Sequence, residues 1–168
     1  HLFPWRSIWQ NARLGLEVRG IKDRDEVVKK MLKRYGLGGF EHHFPRELSG
    51  GMRQRVALIR TLALDPEVLL LDEPFSALDY QTRLRIEEEV ARILRQEGKT
   101  VILVTHDISE AVAMSDRVVV LSKRPGSIKA EFRIDLGGNW LDPDFKPRAS
   151  KRFGEFFQQV WQELDVYE

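Results

Sequence analysis

At 168 residues the chain suits a single domain, since domains commonly run to about 100–200 residues and a chain of this length can bury a real core. Lysine and arginine number 27 against 26 acidic residues, and the resulting net charge of +1 gives no global electrostatic reason to expect nucleic acid as the partner. The lack of cysteine excludes a disulfide framework and a thiolate metal site, and it fits a reducing compartment.

No stretch approaches the roughly 18 consecutive apolar residues of a membrane-spanning helix. The longest apolar runs, such as Val68 to Leu71, are strand-sized, so any membrane must be met through a partner. The chain opens on His1-Leu2-Phe3-Pro4-Trp5, without a starting methionine or the apolar core of a signal peptide, and reads as an interior cut. It contains no internal repeat and no low-complexity tract.

The first third is helical in pattern. Ser7 with Gln10 suggests a capping box and Asp23 with Glu26 a second. Val27, Val28, Met31, Leu32 and Tyr35 then follow at helical spacing, with Gly36 as a stop. After Pro45 comes Leu48-Ser49-Gly50-Gly51, and Met52, Val56, Ile59 and Ala63 continue at helical spacing until Pro66 forbids extension, which puts Ser49 where a cap belongs. From Val68 an apolar run ends in Asp72-Glu73-Pro74, a helix carries Ile86, Val90, Ile93 and Leu94, and a second apolar run spans Val101 to Val104. Buried strand, helix, buried strand predicts a parallel sheet.

A short helix is expected over Ile108 to Met114. Strands follow over Val118 to Leu121 and Ile128 to Ile134, on either side of an Arg124-Pro125-Gly126 turn. Gly137-Gly138-Asn139 with Pro143 and Pro147 marks a connector, and Phe153, Phe156, Phe157, Val160, Trp161 and Leu164 form an amphipathic helix.

Three places could carry chemistry. Ser49-Gly50-Gly51 puts a hydroxyl and two residues without side chains at a helix N-terminus, where unpaired N–H groups and the helix dipole favour a phosphate. The same residues also make an ordinary helix cap. Asp72 and Glu73 end a strand at the edge where open parallel sheets bind ligands. One carboxylate can serve a magnesium ion and the next an attacking water, or both can simply mark the exit into a polar turn. His106 ends the second run in the same fashion and should emerge on the same rim, able to meet a terminal phosphate, whereas His1, His42 and His43 have no such context.

Taken in order, the helix-capping Ser-Gly-Gly, the Asp-Glu strand end, Ser76-Ala77-Leu78-Asp79 and the strand-end His106 resemble the nucleotide-binding domain of the ABC ATPases. Leu48-Ser49-Gly50-Gly51-Met52-Arg53-Gln54 matches its signature, Asp72 the end of its Walker B strand, Glu73 its catalytic glutamate, Ser76 to Asp79 its D-loop and His106 its switch histidine. Leu2-Phe3-Pro4-Trp5 with Asn11, and the segment Leu121 to Gly126, resemble the importer branch serving nitrate, sulfonate and taurine. The fold class implied is α/β, a P-loop NTPase-like ABC ATPase domain in truncated form. A partial helical subdomain would span 1–47, the C-terminal part of the parallel-sheet core 48–135, and a connector with an amphipathic helix 136–168.

The resemblance implies ATP and Mg²⁺ as cofactors. Two such domains sandwich two ATP molecules, so Ser49, Gly50 and Gly51 would touch nucleotide held mainly by the other subunit of a homodimer, with Arg53 and Gln54 positioning residues. Asp72 would hold magnesium through water, Glu73 position or deprotonate the attacking water, His106 contact the γ-phosphate, and Asp79 couple the two sites. Transmembrane permease subunits are the implied partners, met by the helical part from Ser7 to Phe44, with a periplasmic or extracellular solute-binding protein involved indirectly and no nucleic acid. The implied place is peripheral, on the cytoplasmic face of the cell membrane.

One departure from the family pattern is large. The adenine-stacking aromatic strand, G-x-x-x-x-G-K-S/T and a following glutamine should precede Leu2, and no G-x-x-x-x-G-K-S/T occurs from His1 to Glu168. The chain alone is therefore expected neither to bind ATP tightly nor to hydrolyse it, and its open sheet edges to favour self-association. A soluble ABC ATPase of DNA repair or translation predicts coiled-coil or paired-domain insertions, which this chain lacks. A non-catalytic binding or regulatory module is opposed as the parent's role by the presence of Glu73 and His106, but without the front end it is a fair description of the fragment.

Overall fold

A computed structural model describes residues 2–164. The chain forms two compact units that meet in sequence between Glu67 and Val68. The boundary falls after the helix begun at Ser49, so that helix belongs with the residues before it.

The first unit is helical. Helix α1 (Ile8–Val18) begins at a true capping box, with the Gln10 N–H donating to Ser7 Oγ at 3.2 Å and the Ser7 N–H donating to Gln10 Oε1 at 2.9 Å. Helix α2 (Asp25–Arg34) corrects the second expected box: its N-cap is Arg24, with no side-chain cap bond. Asp25 and Glu26 instead fall in the first turn, where negative charge suits the positive end of the helix dipole. Gly36, at φ 71°, closes the helix and lets the Leu37 N–H reach Leu32 O at 2.7 Å.

A single 3-10 turn (Pro45–Glu47) leads into α3 (Gly50–Leu62), whose Met52 N–H donates to Ser49 Oγ at 3.3 Å. Ile8, Ala12, Leu16, Val28, Leu32, Leu37, Val56 and Ile59 have no exposed surface and form this unit's core. Helices α1 and α3 pack against each other. They approach so closely at Gly15 that a Cβ there would lie 3.3 Å from the Arg60 carbonyl and 2.9 Å from the Leu64 side chain.

Asn11 is the buried polar residue of α1 and ties down the turn before it. Its Nδ2 donates to the carbonyls of Phe3, Arg6 and Ser7 at 3.0–3.1 Å, and its Oδ1 accepts from the Phe3 N–H at 2.8 Å. Both ends of this amide are thus hydrogen-bonded, which is what a buried amide requires.

The second unit opens with a strand–helix–strand crossover. Strand β1 (Val68–Asp72) pairs in parallel with β2 (Thr100–Val104), in register from Val68 opposite Thr100 to Asp72 opposite Val104, with α4 (Tyr80–Gln96) between them in sequence. The parallel pairing is as the pattern predicts, but the burial is not. Leu69 is 2% exposed, whereas Val68, Leu70, Ile102 and Val104, which alternate onto the opposite face, are 48–75% exposed. Apolar character on both faces is present, yet only one face is covered among the described residues.

Helix α5 (Ile108–Met114) has the expected bounds, and β3 (Arg117–Leu121) pairs antiparallel with β4 (Ile128–Arg133) as a separate two-stranded sheet. The connector contains a second 3-10 turn (Pro147–Ala149) and ends in α6 (Phe153–Glu163). Ile108, Val112, Val118, Val120, Ile134, Leu136 and Val160 make one core cluster, with Phe153, Phe156 and Phe157 packed against it. The aromatic stripe of the last helix therefore seals the hairpin and α5.

Candidate functional site

Because β1 and β2 run parallel and in register, Asp72-Glu73 and Thr105-His106 leave the sheet at the same end. The Glu73 N–H donates to Val104 O at 2.9 Å, which carries the pairing one residue past β1. At Glu73 the backbone turns into the left-handed region, with φ at 44°, a conformation that costs a residue with a side chain about 1 kcal/mol or more. Its Oε1 accepts the backbone N–H of His106 at 2.9 Å and lies 2.7 Å from that residue's Nδ1.

The imidazole itself is 81% exposed and Glu73 34% exposed, so the pair sits at the rim, open to a ligand. The hydrogen bond to Glu73 raises the His106 imidazole above the ordinary histidine range, with the Glu73 charge next in weight and Asp107 and Glu110 adding to it. A carboxylate that holds an imidazole in place can also fix which of its nitrogens carries the proton.

The turn beyond Glu73 is anchored by Phe75, which is fully buried. Ser76 donates to the Glu73 carbonyl through both its N–H, at 3.3 Å, and its hydroxyl, at 3.0 Å. Asp79 then caps α4 by accepting the Thr82 N–H at 3.0 Å, and that bond holds its carboxyl below the usual range. Asp72 stands exposed at the end of β1.

Ser49, Gly50, Gly51 and Gln54 belong to the first unit, Asp72, Glu73, Asp79 and His106 to the second. Ser49 is an observed helix cap. Arg53 donates to the Leu48 carbonyl at 2.5 Å and so fixes the segment leading into α3. His42 is exposed; His43 lies against the Phe40 ring at 5.0 Å; His1 falls outside the described residues. No group of three or more His, Cys, Asp or Glu that could hold a metal occurs among the described residues, and no helix among them is long and apolar enough to cross a membrane.

Sequence reasoning missed a buried charged cluster behind the rim. Glu87 on α4 is 1% exposed and pairs with Arg148 from the connector, while Glu110 on α5 is 3% exposed and accepts the Thr105 hydroxyl at 2.9 Å. Burial pushes the Glu110 carboxyl up to about 7, against the Thr105 bond, and the nearby Glu87, Asp107 and Glu73 push the same way. A signal existed for Glu87: it stands at i, i+3, i+4 and i+7 with Val90, Ala91 and Leu94, a carboxylate set in an apolar stripe.

Residues 1–76 match the family model described as ABC transporter. An uncharacterized ABC transporter ATP-binding protein of Methanocaldococcus jannaschii is 55% identical over 137 residues, which cover 80% of this chain and 51% of the relative. A taurine import ATP-binding protein of Yersinia pestis is 43% identical over 170 residues, covering 94% of this chain and 67% of the relative. The chain belongs to the ABC transporter ATP-binding family. A nitrate import ATP-binding protein of Synechocystis is 45% identical over 159 residues, 94% of this chain and 60% of the relative. This ABC chain thus spans between about half and two thirds of the length of these relatives. The ABC ATPase fold class read from the sequence is that of its relatives, and the Yersinia and Synechocystis relatives carry the names of the importer branch.

Proposed function

We propose that this chain is part of the ATP-hydrolysing subunit of an importer for a small anion of the nitrate or taurine type. The observation that carries the reading is the Glu73–His106 contact at the common end of two parallel strands, in a chain 43% identical to a taurine import ATP-binding protein. In it, Glu73 positions or deprotonates the attacking water, and His106, held through Nδ1 and its backbone N–H, presents the rest of its ring to the terminal phosphate.

Asp72, an exposed carboxylate that belongs to no metal-holding cluster of three among the described residues, suits an ion that keeps most of its water and phosphate ligands, as magnesium does. Bound with ATP, magnesium would neutralise charge on the phosphates, and Asp72 would hold it through water. The first-turn N–H groups of α3 that the Ser49 cap does not take, those of Gly50 and Gly51, receive the phosphate of a nucleotide held mainly by a second copy of the subunit, with Ser49 beside them and the two glycines allowing close approach. Gln54 and Arg53 position that segment, and Asp79 couples the two nucleotide sites. Permease subunits in the membrane are the partners, met on the cytoplasmic face, and a solute-binding protein acts on them from the other side.

The 168 residues contain no G-x-x-x-x-G-K-S/T, so on their own they do not turn over ATP. The test measures ATP hydrolysis by this chain and by the longer subunit, each with and without Glu73→Gln. The reading expects turnover only in the longer subunit, lowered there at least about 100-fold by Glu73→Gln. Robust turnover by the chain alone that Glu73→Gln abolishes would refute the claim of inactivity; turnover in the longer subunit that survives Glu73→Gln would refute the role of Glu73.

A further inference from the structure

Arg148 lies in the connector, more than 40 residues beyond the rim in sequence, yet its side chain is only 18% exposed. Its guanidinium does two things at once. It pairs with Glu87 Oε2 on α4, and its Nε donates to Ser109 Oγ in the first turn of α5 at 3.0 Å. Ser109 is three residues after His106 and two after Asp107, the residue that caps α5 by accepting the Glu110 N–H at 3.2 Å.

The other contacts at this helix start point the same way. Thr105 donates its hydroxyl to Glu110 and receives the Asp107 N–H at 3.0 Å, while Arg83 of α4 stands 3.6 Å from Asp107 Oδ2. Three carboxylates, Glu87, Asp107 and Glu110, therefore crowd the beginning of α5, with Arg83 and Arg148 as the cations against them. A buried ion pair is a poor source of stability compared with apolar residues of the same volume, because both charges must leave water. What a planar, two-pronged guanidinium does supply is a fixed geometry between the groups it joins.

We propose that Arg148 is a positioning residue for the rim: by joining Glu87 of α4 to Ser109 of α5, the connector fixes the start of α5 and so the placement of His106 against Glu73. The proposal rests on the reading of Glu73 and His106 as the working pair. It gives the C-terminal segment a task beyond packing, namely placing the segment Thr105 to Asp107 between β2 and α5. A simple charge-neutralising role for Arg148 would alter stability and leave that loop where it is.

The experiment follows the His106 backbone amide by NMR, since that N–H donates to the Glu73 carboxylate and its proton shift reports the bond. Glu73→Gln, which weakens the acceptor, sets the direction and size of the change. The expected result is that Arg148→Gln moves the amide in that direction. Arg148→Lys, which can neutralise Glu87 but lacks the fork, moves it partway. Ser109→Ala, which removes only the link to α5, moves it too, and it decides the matter if Arg148→Gln does not fold. An amide unmoved in folded Arg148→Gln or, where that variant does not fold, in Ser109→Ala, while Glu73→Gln shifts it, overturns the positioning role alone. An amide that Glu73→Gln itself fails to shift overturns the Glu73–His106 pairing and the inference with it.

Discussion

Glu73 Oε1 is shared by two groups of one residue: it accepts the backbone N–H of His106 at 2.9 Å and lies 2.7 Å from its Nδ1. A carboxylate that approaches both the main chain and the ring of a single histidine restrains that ring's position and its proton together. The His106 imidazole is accordingly raised above its ordinary value, chiefly by this bond. Glu73→Gln is expected to lower the midpoint of the His106 titration, read from its ring proton shifts across pH 5–9. The stabilising effect of the pair is complete below the unfolded histidine value and is lost as pH rises through the raised folded one. An unchanged midpoint would mean that the contact does not exist in solution.

Glu110 runs on the same sign for a different reason. Its carboxyl is pushed up to about 7 by burial, so the folded state favours the neutral form. The folded chain then binds more protons than the unfolded one between roughly pH 4.5 and 7. Stability present at pH 4.5 is lost as pH rises through 7, by about 3–4 kcal/mol at most. Urea unfolding at pH 5 and pH 8 should show this loss, and Glu110→Gln, which still accepts from Thr105, should flatten it.

Asn11 offers a test of the first unit. Its side chain is fully buried and bonds three carbonyls and one N–H; truncation takes the partner from the Phe3 N–H and the Arg6 carbonyl, while Phe3 O and Ser7 O keep the Arg6 and Asn11 N–H groups. Asn11→Ala is expected to destabilise by about 2–4 kcal/mol in denaturant melts. A loss under about 0.5 kcal/mol would mean that water replaces the amide at little cost.

The open face of β1 and β2 carries Val68, Leu70, Ile102 and Val104 together, with Leu70 75% exposed. Apolar area in one patch favours association. Light scattering of the chain should show a mass that grows with concentration, and Leu70→Lys with Ile102→Lys should return it toward the monomer. A clean monomer for the parent chain at high concentration would remove the basis for this expectation.

Elements whose signals are local were legible from sequence. The Ser7–Gln10 box, the Ser49 cap and the bounds of α5 each depend on residues within one or two helical turns, and strand-end logic brought Asp72, Glu73 and His106 to one rim. The start of α2 was misread because an acidic residue before a helix can serve as a cap or simply precede the first turn, and nothing nearby decides which. Burial of β1 and β2 was overestimated because an apolar run states what a strand tolerates, not what covers it. The Glu87–Arg148 pair spans 61 residues and joins a helix to a connector, a distance over which spacing carries no information.

The left-handed backbone at Glu73 sets stability and chemistry against each other at one position. Glycine adopts that conformation without the penalty a Cβ brings, so Glu73→Gly should be the sturdier protein than Glu73→Ala by roughly 1 kcal/mol. The backbone alone therefore favours glycine here, against the two contacts with His106 that the carboxylate supplies. On the role proposed for Glu73, the residue best suited to this backbone conformation is one that could not carry that role.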